Sequence, residues 1–111
     1  MIATLSKQKD FEQVAKKGRS FFTKEFGFKI IKNNLSKNRY GIVVNLKVDK
    51  RAVARNKIRR RIKEIVRLND EKLKQGFDVM ILTRELVKEL SYQEIKSKLL
   101  DLFKKAGIFN F

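Results

Sequence analysis

The densest chemistry in the chain lies in one run, Arg51-Ala52-Val53-Ala54-Arg55-Asn56-Lys57-Ile58-Arg59-Arg60-Arg61, followed closely by Lys63. Guanidinium forks match phosphate oxygens and base edges, and each cation that meets a phosphate releases condensed counterions. Asn56 adds a side chain that both donates and accepts, which charge neutralisation does not require. It points to a specific contact; the plainer alternative is a surface or capping asparagine. A charge run of mixed sign reads as a solvated face, but this one is nearly uniform. Residues 51–67 hold 8 basic and 1 acidic side chains, against 12 and 4 in residues 1–50 and 8 and 7 in residues 68–111. The balanced C-terminal third reads as scaffold.

A net charge of +16 on 111 residues calls for an anionic partner. Nucleic acid leads. A membrane surface would call for a basic amphipathic helix with large apolar anchors, at an end of the chain or in isolation; the run is mid-chain, so no membrane partner is expected. The absence of cysteine and histidine removes disulfides, thiol nucleophiles, Cys/His zinc sites and imidazole acid–base chemistry. The carboxylates are scattered and the glycines isolated, so neither a metal cluster nor a phosphate-cradling loop is indicated. Asp49 and Glu64 flank the basic run and read as salt-bridge partners of neighbouring arginines. The chain is expected to carry no catalytic residue and no metal site. No apolar stretch approaches the ~18 residues of a membrane span, and no signal-like start precedes Leu5; cytoplasm is the expected location.

The elements that must position these residues read as follows. Ser6 is expected to cap a helix through Lys17, with Phe11, Val14 and Ala15 at helical spacing and Gly18 in the terminating left-handed position. Residues 19–22 suit a short strand. In the next strand Phe26, Phe28 and Ile30 share one face while Gly27, Lys29 and Ile31 share the other. After a turn at residues 33–38, a strand over residues 39–46 puts Tyr40, Ile42, Val44 and Leu46 on one side, completing an antiparallel meander. A helix is predicted over residues 52–68, with Ala54, Ile58, Ile62, Ile65 and Val66 in one stripe and Asn56, Arg60, Lys63 and Arg67 opposite. Arg55 lies near the apolar edge, its stem expected to be partly buried and its head aimed by the fold. The apolar run of residues 77–83 suits a central strand covered on both faces. Ser91-Tyr92-Gln93-Glu94 is a capping box, with Leu90 placed to staple onto Ile95, opening a helix that carries Ile95, Leu99, Leu102, Phe103 and Ala106. The result is a single domain over residues 1–111, an α+β αβββαβα sandwich with a mostly antiparallel four-stranded sheet.

Arg39-Tyr40-Gly41-Ile42-Val43-Val44, followed by residues 50–64 with their Ala-Val-x-Arg-Asn-basic core, strongly resembles the signature of the bacterial ribonuclease P protein subunit. Asp10-Phe11-Glu12-Gln13-Val14 and Gly18 extend the likeness upstream; residues 77–84 and Leu90-Ser91-Tyr92 extend it downstream. The resemblance implies a ribosomal protein S5 domain 2-like fold with a left-handed crossover between the parallel strands that flank the basic helix. It implies a ribonucleoprotein that removes the 5′ leader of precursor tRNA by phosphodiester hydrolysis, with the catalytic magnesium (Mg2+) on the RNA subunit. The protein's implied partners are that catalytic RNA and the leader; no obligate protein partner is evident. RNA-binding residues are then Arg51, Arg55, Asn56, Lys57, Arg59, Arg60, Arg61 and Lys63, and the leader-binding cleft comprises Phe11, Ala15, Lys29, Asn45, Lys47 and Arg84. The family pattern carries aromatics where this chain has Ala15 and Lys29, so leader stacking is expected to be weaker and more electrostatic. The family's Ser-Lys-Lys stretch reads Asn45-Leu46-Lys47, without the glycine that follows it. The alternatives are a ribosomal or general structured-RNA-binding protein and a protein-only magnesium-dependent nuclease.

Overall fold

The computed structural model describes residues 3–5 and 7–110. In chain order its elements are β1 (Ala3–Thr4), α1 (Gln8–Lys17), β2 (Arg19–Phe22), β3 (Phe26–Lys32), β4 (Arg39–Val43), α2 (Ala52–Asn69), β5 (Phe77–Thr83) and α3 (Tyr92–Lys105), with short 3-10 helices at Asp70–Lys72 and Glu85–Glu89. The apolar run of β5 takes the middle of the sheet, in the order β1-β4-β5-β3-β2. That position suits a strand whose Val79, Met80 and Ile81 are all buried, since both of its faces must be covered.

The α+β class and the succession of helices and strands agree with the sequence reading, while the sheet corrects it. Among the described residues there are five strands rather than four, because Ala3–Thr4 pairs in parallel with β4, and a two-residue strand is too short to leave a periodic signal. The pairing is mixed rather than mostly antiparallel: β2–β3 and β3–β5 run antiparallel, β1–β4 and β4–β5 parallel. The meander stops at the β2–β3 hairpin, because β5 inserts between β3 and β4 and bonds to both. β4 itself ends at Val43, so Leu46 leaves the buried row and stands 64% exposed in a turn.

Two helix ends also differ. Ser6 lies outside the described residues, and the residue preceding α1 is Lys7, which makes no side-chain cap bond. Gly18 is extended, with φ −71° and ψ 151°, rather than left-handed. Its glycine is required by proximity: a Cβ there would sit 2.5 Å from the Val14 carbonyl oxygen and 3.1 Å from that of Ile30. The capping box of α3 forms as read, Ser91 Oγ accepting from the Glu94 N–H at 3.2 Å and the Ser91 N–H donating to Glu94 Oε1 at 3.0 Å.

Period-two alternation divides the sheet between two layers. On one face Phe26, Phe28, Ile30, Tyr40, Val79 and Ile81 pack against Ile58, Ile62, Ile65 and Val66 of α2 and Ile95, Leu99, Leu102 and Phe103 of α3. Phe28 and Phe103 meet edge to face at 5.1 Å. On the other face Val14 of α1 packs against Leu5 and Met80, with Phe11, Ile31, Val43 and Leu82 at the margin. Buried polar groups seat the C-terminal end of α2. Asn38 Nδ2 donates to the Tyr40 hydroxyl and to the Lys74 carbonyl, each at 3.0 Å, Asn38 Oδ1 accepts from the Phe77 N–H at 2.9 Å, and the Tyr40 hydroxyl donates to Asp70. Burial and the Asp70 carboxylate hold the Tyr40 hydroxyl well above its ordinary pKa, so it remains a donor.

Replacing Phe28 by alanine removes a fully buried ring between sheet and α3. A loss of about 3–5 kcal/mol in unfolding free energy is expected, read from the midpoint of urea denaturation; a loss below 1 kcal/mol would show that the two layers do not depend on this contact.

Candidate nucleic-acid interface

Apolar packing gives α2 a fixed orientation. With Ile58, Ile62, Ile65 and Val66 buried, the opposite side cannot turn inward, and Asn56, Lys57, Arg60 and Lys63 are exposed, with Arg59 and Arg61 half-buried beside them. Among the described residues Lys57, Arg60, Arg61 and Lys63 form no ion pair, so their charge stands uncompensated. Arg59 Nη1 donates to Asn56 Oδ1 at 2.6 Å. That bond assigns Asn56 a local role, holding Arg59 in place, and leaves its amide free to donate outward. Val53, 79% exposed, lines a shallow groove with Asn56, Arg59 and Arg60.

The arginines at the start of α2 are engaged by the protein. Arg55 is half-buried, and its Nη1 donates to the carbonyls of Asp49 and Lys50, each at 2.9 Å. The fold thus aims its head at the turn before the helix. Asp49 Oδ1 accepts from the Arg51 N–H at 2.9 Å and from Arg51 Nε at 3.1 Å, its Oδ2 accepts from Arg51 Nη2 at 3.0 Å, and Lys88 Nζ lies 3.2 Å from the same oxygen. These donors, Arg51 first, hold the Asp49 carboxyl well below its usual range. Glu64 pairs with Arg67 one turn away. Both carboxylates are therefore partners of arginines, and among the described residues no group of three or more Asp, Glu, His or Cys side chains gathers as a metal site would require.

The six residues expected in a cleft fall into two groups, one under α1 and one past the ends of β4 and β5. Cross-strand register aligns Ser20, Lys29, Met80 and Gly41 in one row, and α1 lies over it. Phe11 rests on Gly41, where a Cβ would come within 2.5 Å of its ring. Lys29 Nζ donates to the Ala15 carbonyl at 3.1 Å, so the two positions that depart from the family's aromatic pattern touch each other. Asn45, Lys47 and Arg84 lie further along the strands, where they line one concavity with Lys24, Thr83 and Leu86. Asn45 is fixed there by a turn, its Oδ1 accepting from the Lys47 N–H at 3.0 Å.

Three features depend on the tertiary structure. Arg59 and Lys63 of α2 line a concavity together with Phe11 and Gly41, which joins the basic helix to the near end of the α1 face. Val53 stands on the basic side of its helix. Phe22 stands 55% exposed with the Arg84 guanidinium 5.6 Å from its ring centre. The adjacent pair Phe21-Phe22 was a signal for the last, since neighbours in a strand face opposite ways; which one faces out depends on register.

Comparison with known proteins places this geometry. The sequence model of the ribonuclease P family matches residues 2–107. A ribonuclease P protein component of Clostridium botulinum is 40% identical over 107 residues, 96% of each chain. The solved RNase P protein of Staphylococcus aureus superposes with a TM-score of 0.89 at 29% identity, covering 99% of this chain and 100% of that one. That of Thermotoga maritima gives 0.83 at 32% identity, covering 92% and 96%.

Two expectations follow for this surface. Arg59→Ala and Arg60→Ala should each flatten the salt dependence of affinity for structured RNA, by about 0.7 to 0.9 log units per lost phosphate contact; unchanged slopes in both would mean these side chains face only water. The depressed Asp49 pKa makes its stabilisation complete above the ordinary value of 3.8; it begins to decline there and is lost only as pH falls through the depressed folded-state value. Asp49→Asn should therefore melt below the wild type at pH 7, with the gap starting to narrow as pH falls below about 4; a gap constant with pH down to the acid limit of folding would assign the effect to something other than this charge.

Proposed function

Because the chain belongs to the ribonuclease P protein family and is a protein subunit of that tRNA 5′-processing endoribonuclease, we propose a division of its surface into two RNA contacts. The exposed side of α2 docks on the catalytic RNA, with Lys57, Arg60, Arg61 and Lys63 meeting phosphates and the Asn56–Arg59 pair presenting a shaped donor set. Arg51 and Arg55 brace the start of that helix while adding to its potential. The α1 face of the sheet receives the single-stranded 5′ leader of precursor tRNA, from Phe11, Ala15 and Lys29 at one end to Asn45, Lys47 and Arg84 at the other.

The observation that carries this reading is the concavity shared by Phe11, Gly41, Arg59 and Lys63. That concavity joins the basic side of α2 to the Phe11 end of the α1 face, so an RNA bound at α2 and a strand on the α1 face would lie side by side. Electrostatic contact prevails at the near end, because Lys29 stands where a stacking ring would otherwise be. The chemistry of phosphodiester hydrolysis falls to the RNA subunit and its magnesium ions. The described carboxylates do not fit a metal site, since those nearest the basic helix are already bonded to arginine. Among the described residues no helix is long and apolar enough to cross a membrane, and the cytoplasm, where precursor tRNA is made in bacteria, is the proposed location.

Reconstitution tests the reading. The chain mixed with a bacterial ribonuclease P RNA should raise precursor-tRNA cleavage at low magnesium, where the RNA alone is slow. Intact RNA binding with no gain in cleavage would overturn it, and enrichment of ribosomal RNA rather than ribonuclease P RNA in a pull-down from lysate would do the same.

A further inference from the structure

The row at the margin of α1 consists of Phe22, Gly27, Leu82 and Val43, aligned by register across β2, β3, β5 and β4. Gly27 is the low point of that floor. A Cβ there would lie 3.3 Å from Phe22 Cε1 and 3.4 Å from the Leu82 Cβ, so the Phe22 ring leans over the glycine from the sheet edge. Its outer side is open, at 55% exposure. The Arg84 guanidinium carbon lies 5.6 Å from the ring centre, and the Arg84 main chain is tethered, its N–H donating to the Glu25 carbonyl at 2.9 Å. The Thr23 N–H to Phe26 carbonyl bond at 2.8 Å closes the hairpin turn that carries Phe22. Ring and guanidinium are thus two planar groups, held by backbone bonds, at the end of a groove.

The charge around this pair argues for a phosphate-bearing occupant. On one side Lys24, Lys47 and Arg84 stand against Glu85 alone. On the other side Phe22 borders a second concavity with Lys24, Lys98, Lys104 and Lys105, against Glu25 and Asp101. An aromatic plane between two basic hollows is the arrangement that holds single-stranded nucleic acid, a base on the ring and a phosphate to either side. A protein partner would need a broader apolar patch than one ring.

Resting on the reading of the α1 face as a single-strand groove, we infer that Phe22 and Arg84 form a base-stacking clamp where that groove leaves the sheet. A nucleobase of single-stranded RNA stacks on the exposed side of the pair, and the strand then passes over the β2 edge toward the lysines of α3. This supplies stacking at the far end, in a chain whose near end carries Ala15 and Lys29.

The test uses the full chain and a single-stranded oligoribonucleotide of about ten nucleotides, within the span of such sites, carrying 2-aminopurine at successive positions. In the wild type one position should be strongly quenched on binding. Phe22→Ala should abolish that quench and weaken binding about fivefold or more, with the salt slope unchanged because no charge is lost; Phe22→Tyr should restore both. Equal affinity and equal quench in Phe22→Ala would overturn the clamp. So would unchanged RNA binding with altered sedimentation of the free chain, which would make the ring a contact between protein copies. The assay needs no catalytic RNA, so a wild-type chain that fails to stimulate cleavage overturns the proposed function and leaves the clamp to be judged on its own data.

Discussion

Unequal cover over the two faces of one sheet is the constraint from which the rest of this structure follows. On one face α2 and α3, 18 and 14 residues long, bury Phe26, Phe28, Ile30, Tyr40 and Ile81 completely. On the other lies α1 alone, with 10 residues, or about 15 Å of helix. It lies across the strands, from Phe11 on Gly41 to Ala15 beside Lys29, and a helix about 10 Å wide spans only part of strands that run about 23 Å. One row of the floor is sealed under Phe11 and Val14, and the next is only partly covered. Because the reverse side of that floor is the main core, the groove cannot close without breaking the best-packed part of the molecule.

The second constraint is charge. With 28 cations and 12 carboxylates, the fold uses several of its few acids as fasteners. Arg39 bonds in two-pronged fashion to Asp78 at 2.9 and 2.7 Å and reaches Asp10 at 3.3 Å, tying β4, β5 and the first turn of α1 together. Asp70 receives the Tyr40 hydroxyl, and Asp49 gathers Arg51 and Lys88. Neutralisation is therefore concentrated at joints between elements, where partly buried pairs are screened less by salt than exposed ones. The outward side of α2 keeps its cations uncompensated. Braced and free cations thus separate within a single basic run: Arg55 is turned onto main-chain carbonyls, while Arg60, five residues on, bonds to none of the described residues.

Legibility followed the range of the interaction. The apolar stripe and basic face of α2, the capping box of α3 and the double-sided apolar run of β5 are all written in spacings of a turn or less, and each formed as read. The left-handed role expected of Gly18 failed because the atoms that require a glycine, the Val14 and Ile30 carbonyl oxygens, include one twelve residues away. Leu46 fell out of its row because the strand stopped three residues sooner than alternation alone implied.

By itself, then, the sequence determined which stretches form the helices and the longer strands and which side of α2 is positive, since periodicity and charge are local properties, while the family was legible in the resemblance of its basic motif. Tertiary structure decided the strand order, the union of Phe11 with Arg59 and Lys63, and the exposure of Phe22 beside Arg84. Those depend on partners as distant as Val43 and Leu82, paired across the sheet. Alternation states only that two side chains in a strand face opposite ways; register between strands far apart in the chain, set by burying β5 at the centre, chooses which of them is left exposed.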